Sequence, residues 1–198
     1  MATAGWYVSS IELVAGYLAE RARPTVFVPL ALLIAETAWL AAPGAERTAA
    51  SFGMCAVQAL LIVLALRVWD DLQDRARDAV RHPDRVTVRA RRVAPLVALG
   101  LALAVGAVLS LRSATVPLAR FGIVLVVLVG LVVWYKARPA EPSRLSSVIL
   151  LAKYPALAIA LAPGLGEMTP MRAGVAAATL YIIAVAYEYL EDRRRGIT

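Results

Sequence analysis

The chain is 198 residues long, 61% of them hydrophobic, with a formal net charge of +7 and one cysteine, Cys55. Soluble domains hold roughly 45–50% apolar residues, so this composition, with a mean hydropathy of +0.71, excludes a soluble enzyme and a disordered chain. One cysteine excludes a disulfide framework and a thiolate metal cluster. An integral membrane protein is the class that remains.

In chain order, residues 1–20 interleave Trp6, Tyr7, Ile11, Leu13, Val14, Tyr17 and Leu18 with polar positions, which predicts a helix lying in the membrane interface. With no basic start and no long apolar stretch, they do not read as a signal peptide. A bilayer core about 30 Å thick needs roughly 20 apolar residues at 1.5 Å rise, and six stretches answer that need. Thr25–Ala42 is interrupted by Glu36. Thr48–Leu66 and Val93–Leu111 are free of charge. Val116–Tyr135 carries Arg120, Leu145–Ala162 carries Lys153, and Ala173–Tyr187 is the sixth. An even number of spans puts both termini on one face. Of the 21 Lys and Arg residues, only Arg47, Arg112, Arg120 and Arg172 then fall on the other. Cytoplasmic loops hold the basic excess, so both termini are expected in the cytoplasm. This topology accounts for the positive charge without a nucleic-acid partner.

The outer connections are short and turn-like, whereas residues 67–92, read as the cytoplasmic loop after the second span, hold most of the chemistry. If that span continues as a helix, Asp70, Asp74 and Asp78 stand at i, i+4 and i+8, with Asp71 on the same broad face. Like charges at this spacing repel, and hard oxygen ligands without His or Cys favour Mg²⁺ over zinc. The competing reading is a solvated helix end in which Arg75 and Arg77 pair with these acids. After the sixth span Glu188, Glu191 and Asp192 share a second helix face at the same membrane surface, or serve only as a charged stop. Two facing carboxylate sets with arginines between them suit a Mg²⁺-diphosphate.

Glu36 and Gln58 are polar at membrane depth, where such groups face a cavity or a partner. Trp69, Trp134 and Tyr135 are headgroup-level aromatics beside the site, and aromatic faces stabilise cations. His82 reads as a capping residue and Cys55 as a packing residue.

The run Asp70-Asp71-Leu72-Gln73-Asp74-Arg75-Ala76-Arg77-Asp78 resembles the first aspartate-rich motif of the UbiA-type intramembrane prenyltransferase superfamily, (Asn/Asp)-Asp-x-x-Asp-x-x-x-Asp. It matches at every acidic position and at the same place after the second span. Arg81-His82-Pro83-Asp84-Arg85-Val86 is similar to that family's basic, proline-containing segment. Glu188-Tyr189-Leu190-Glu191-Asp192 resembles its second acidic motif, with Glu for the first Asp.

The resemblance implies an all-α bundle of six transmembrane helices around a central apolar cavity, in the cell membrane, with the active site facing the cytoplasm. It implies Mg²⁺ held by Asp70, Asp71, Asp74, Asp78, Glu188, Glu191 and Asp192, and a diphosphate held by Arg77, Arg85, Lys136, Arg138, Arg144 and Lys153. Catalysis is then expected from Asp70, Asp74, Asp78, Tyr135 and Lys136, with Glu36, Gln58 and Trp69 at the cavity.

The implied substrate is an isoprenyl diphosphate whose prenyl group passes to a small acceptor. The alternatives are a terpene cyclase using the same ionisation, and a non-enzymatic subunit or transporter. The family usually has nine spans. Six spans imply either a narrower cavity or a homodimer, paired through small residues in the third, fifth and sixth spans.

Overall fold

A computed structural model describes residues 9–111, 117–137 and 144–194. All regular structure among the described residues is helical, and each helix boundary has a local cause. Helix α1 (Ser10–Arg21) opens on a capping box: the Glu12 amide donates to Ser9 Oγ at 3.2 Å and the Ser9 amide to Glu12 Oε2 at 2.8 Å. Residues 1–8, including Trp6 and Tyr7, lie outside the described part. Helix α2 (Pro24–Ala41) starts on a proline, where the missing amide costs nothing. Its last carbonyls are capped by Arg47, which donates to Ala42 O at 3.0 Å and Leu40 O at 2.7 Å.

Helix α3 (Ala49–Arg81) is 33 residues long. It begins where the amides of Thr48 and Ser51 donate to each other's hydroxyls, both at 3.0 Å. The segment expected as a loop from Arg67 onward is therefore helical through Arg81. Leu, Ala, Arg, Gln and Asp follow one another there without a Gly or Pro before Pro83, so nothing interrupts the helix. At 1.5 Å per residue α3 is about 50 Å long, well beyond the bilayer core. Helix α4 (Val86–Arg89) is a single turn, followed by α5 (Ala94–Leu111) and α6 (Pro117–Ala137).

The fifth expected span departs from expectation. Residues 145–162 fold as α7 (Arg144–Leu151) and α8 (Lys153–Leu161), separated at Ala152. Pro155 is the cause: it has no amide for the Leu151 carbonyl, and its ring crowds that same carbonyl. Beyond α8, Gly164 adopts φ +61°, with Pro43 and Glu46 packed against it. Helix α9 (Pro170–Arg194) completes the chain's described part.

Among the described residues five helices are long and apolar enough to cross a membrane: Pro24–Ala41, Ala49–Arg81, Ala94–Leu111, Leu118–Ala137 and Pro170–Leu190. Large apolar side chains such as Val26, Leu32, Leu101, Val105, Leu125, Val126 and Ile182 stand exposed along them. Apolar patches of that extent are not left to water. The chain is an all-α integral membrane protein.

Contacts divide it into two compact units, residues 1–29 with 60–107 and residues 30–59 with 108–198. The first has a core of Leu13, Tyr17, Val68 and Leu96, flanked by Leu72, Val86 and Leu99. Gly100 lies against Val68 and Gly106 against Leu61, so these small residues of the third span serve packing within the unit. In the second, α8 is the buried element, packed on α6 and α9 with Leu157, Ala158, Ala160 and Leu161 inward. Arg120 is buried there, donating to Leu161 O at 3.4 Å and Ala162 O at 2.7 Å, and the Cys55 thiol donates to the same Leu161 carbonyl at 3.3 Å. These two side chains cap the end of α8.

Candidate functional site

The continuation of α3 carries the aspartates. With 3.6 residues per turn, Arg67, Asp70, Asp71, Asp74 and Asp78 fall within about 100° of the helix circumference, and burial grades them. Asp71 and Asp78 are buried, while Asp70, Asp74 and Arg77 are half-buried. Asp71 is 3% exposed and both of its oxygens are engaged. Oδ2 accepts from the Tyr17 hydroxyl at 3.0 Å and Arg21 Nε at 3.2 Å, and Oδ1 accepts from Arg21 Nη2 at 2.6 Å and forms an ion pair with Arg67 Nη2 at 3.1 Å. Burial, reinforced by the negative charge of Asp71, pushes the Tyr17 hydroxyl well above the ordinary tyrosine range. Burial opposes the charge on Arg21, but the hydrogen bonds and charge of Asp71 outweigh it, and its pKa rises.

One residue expected among the metal ligands is thus committed elsewhere. Asp71 is the anchor on which α1 docks, because two arginines and a hydroxyl already fill its coordination. Asp78 pairs through Oδ1 with Arg85, while its Oδ2 is buried and meets no hydrogen-bond partner among the described residues. Arg75 pairs with none of these acids: it donates to the Thr87 carbonyl at 3.0 Å and the Ala90 carbonyl at 2.7 Å, fixing α4 against α3. Glu20 accepts the Val86 amide at 3.1 Å from the other side. The competing reading, a salt-bridged helix end, therefore holds in part, with Arg21 and Arg67 on Asp71 and Arg85 on Asp78.

The remaining candidates are distributed as follows. Arg77, Arg85 and Trp69 belong to the first unit with the aspartates; Trp69 is exposed on α3. Tyr135, Lys136, Lys153 and Glu188 belong to the second unit. Tyr135 and Glu188 are half-buried, and Lys136 is exposed in the last turn of α6. Lys153 is buried at the start of α8, with Nζ 5.5 Å from the centre of the Tyr154 ring, a cation–π distance.

Arg138 lies outside the described residues, as do the side chains of Arg144, Glu191 and Asp192. The α9 backbone is helical through Arg194, so Glu188, Glu191 and Asp192 keep the expected register. Gln58, expected at a cavity, is buried and donates from Nε2 to Ser110 O at 2.9 Å, satisfying a carbonyl in the last turn of α5. Glu36 is exposed on α2.

Among the described residues no three His, Cys, Asp or Glu side chains converge as a preformed metal cage. Mg²⁺ at phosphate sites takes one or two carboxylates and completes its octahedron with water and phosphate oxygens. Asp70, Asp74 and the unpartnered Oδ2 of Asp78 fit that demand as hard oxygen donors on one helix face. Tyr17, Arg21 and Arg67 were not singled out from sequence. The i, i+4 spacings Tyr17/Arg21 and Arg67/Asp71 were the available signal.

No protein-family model, curated protein or solved structure matches this chain.

Proposed function

We propose that the chain is an intramembrane prenyltransferase that ionises an isoprenyl diphosphate in a Mg²⁺-dependent reaction, with Asp70, Asp74 and Asp78 as the carboxylate face. The observation that carries this reading is the unbroken run of α3 to Arg81, which puts three aspartates in register beyond the apolar part of the span. Arg85 lies against Asp78 on the same face. A cation held by these oxygens offsets the negative charge of the diphosphate. Arg77 and Arg85 supply further positive charge from the same unit.

Heterolysis of the C1–O bond leaves the electron pair on the diphosphate. The allylic cation is then attacked by an electron-rich acceptor, which forms the new bond and loses a proton. Six spans with the broken α7–α8 pair as the fifth, both termini cytoplasmic and the aspartates at the cytoplasmic surface, complete the proposal. It rests on the basic residues clustering on one face.

The test is incubation of the purified protein in nanodiscs with Mg²⁺ and prenyl diphosphates of several chain lengths, with and without phenolic acceptors. Diphosphate release that needs Mg²⁺ and is abolished by Asp74→Asn in a folded protein supports the reading. A cyclic hydrocarbon formed without acceptor assigns cyclisation to the same site. No diphosphate release at any chain length overturns both.

A further inference from the structure

Helix α1 meets the start of α5 along an open groove of about 660 Å³, lined by Ile11, Val14, Ala15, Leu18, Pro95 and Ala98. The lining is almost wholly apolar, and Ile11 is 81% exposed beside it. Basic residues lead into it along the chain. Arg89, Arg91 and Arg92 are all exposed, and Arg92 precedes the groove residue Ala94 by two positions, at most about 7 Å of chain.

This segment is held in place, since Arg75 binds the carbonyls of Thr87 and Ala90 on α4 and the residue after it. Glu12 and Glu20 are each bonded to a backbone amide rather than to these arginines. Glu12 is turned onto its own helix start, where the Ser9 amide holds it below the usual glutamate range, and Glu20 accepts the Val86 amide. An apolar trough with three exposed arginines in the chain segment that leads into it matches an amphiphile with a hydrocarbon chain and an anionic head.

We propose that this groove is a binding site for one anionic phospholipid, its acyl chain along Val14, Leu18 and Ala98 and its phosphate on Arg91 and Arg92. The lipid covers the outer side of α1 while Tyr17 and Arg21 hold the inner side to α3, so it clamps the interfacial helix from both faces. The proposal stands independently of the prenyltransferase reading.

The experiment is native mass spectrometry of the detergent-purified full chain titrated with dioleoyl phosphatidylglycerol or dioleoyl phosphatidylcholine, with inorganic phosphate as a competitor. The wild type is expected to retain one phosphatidylglycerol with at least about tenfold preference, and Arg91→Gln/Arg92→Gln to lose roughly 30-fold in that affinity. Ala98→Trp, at an exposed position that fills the trough, is expected to lose the adduct while keeping the wild-type melting temperature. Equal binding of the two lipids, an adduct indifferent to either variant, or displacement by inorganic phosphate alone overturns the proposal. So does a dimer that Ala98→Trp dissociates, which would assign the groove to a second copy.

Discussion

Replacing Asp71 by Asn tests whether the N-terminal helix is held by charge. Asp71 accepts three hydrogen bonds, from Tyr17 and twice from Arg21, and pairs with the Arg67 guanidinium. Asparagine keeps the shape and one acceptor oxygen but removes the charge. Breaking a buried pair costs about 3–5 kcal/mol. Here the arginine side chains retain 17% and 29% exposure, so water relieves part of the loss, and about 2 kcal/mol is the expected cost. That corresponds to a roughly 30-fold larger population with α1 lifted from α3.

Leu13, a buried residue of α1 itself, reports the opening when changed to Cys. Its maleimide labelling rate should rise about 30-fold in Asp71→Asn over the same chain with Asp71. The native Cys55, 2% exposed in the other unit, should keep its slow rate. Labelling at position 13 within about threefold of the parent, or an equal acceleration at Cys55, would refute the local clamp.

The same clamp gives a pH dependence. Tyr17 has its pKa raised in the folded chain, so its contribution is intact below the ordinary tyrosine value of about 10 and is lost as pH rises toward the folded value. A nitroxide at position 11 should gain mobility above about pH 10, and Tyr17→Phe should flatten that response. Gly164→Ala puts a Cβ 3.0 Å from Glu46 Cγ and 3.1 Å from Pro43 Cδ at φ +61°. It should cost about 2 kcal/mol, seen as a lower melting temperature in detergent; an unchanged melting temperature contradicts the packing described. Arg120→Met takes the side-chain donor from the Ala162 carbonyl and leaves the Leu161 carbonyl to the Cys55 thiol, at about 1–3 kcal/mol. Faster labelling of Cys55, which shares the Leu161 carbonyl, is the expected readout.

Five of the apolar helices were legible because length and hydropathy act locally, and the aspartate register was legible because nothing in residues 67–81 breaks a helix. The break before α8 was less so: Pro155 is visible in the sequence, but the apolar run around it reads as one span until the orphaned Leu151 carbonyl is considered. What the sequence hid is which acid does what. The four aspartates look alike along the chain, and only partners some 50 residues away, Tyr17 and Arg21, separate Asp71 from the others. Gln58 was likewise ambiguous, because its partner Ser110 lies on another helix. The competing reading paired Arg75 with acids beside it, yet the backbone carbonyls of Thr87 and Ala90 offered fixed acceptors across the turn.

The central claim is that the α3 aspartates hold a divalent cation together with a diphosphate. Electron paramagnetic resonance of Mn²⁺ added in place of Mg²⁺ to the purified chain, with and without a non-hydrolysable prenyl diphosphate analogue, tests it most directly. The account predicts Mn²⁺ binding that tightens with the analogue, is lost in Asp70→Asn/Asp74→Asn, and persists in Asp71→Asn. Binding that ignores the analogue, or that survives the loss of Asp70 and Asp74, would contradict it.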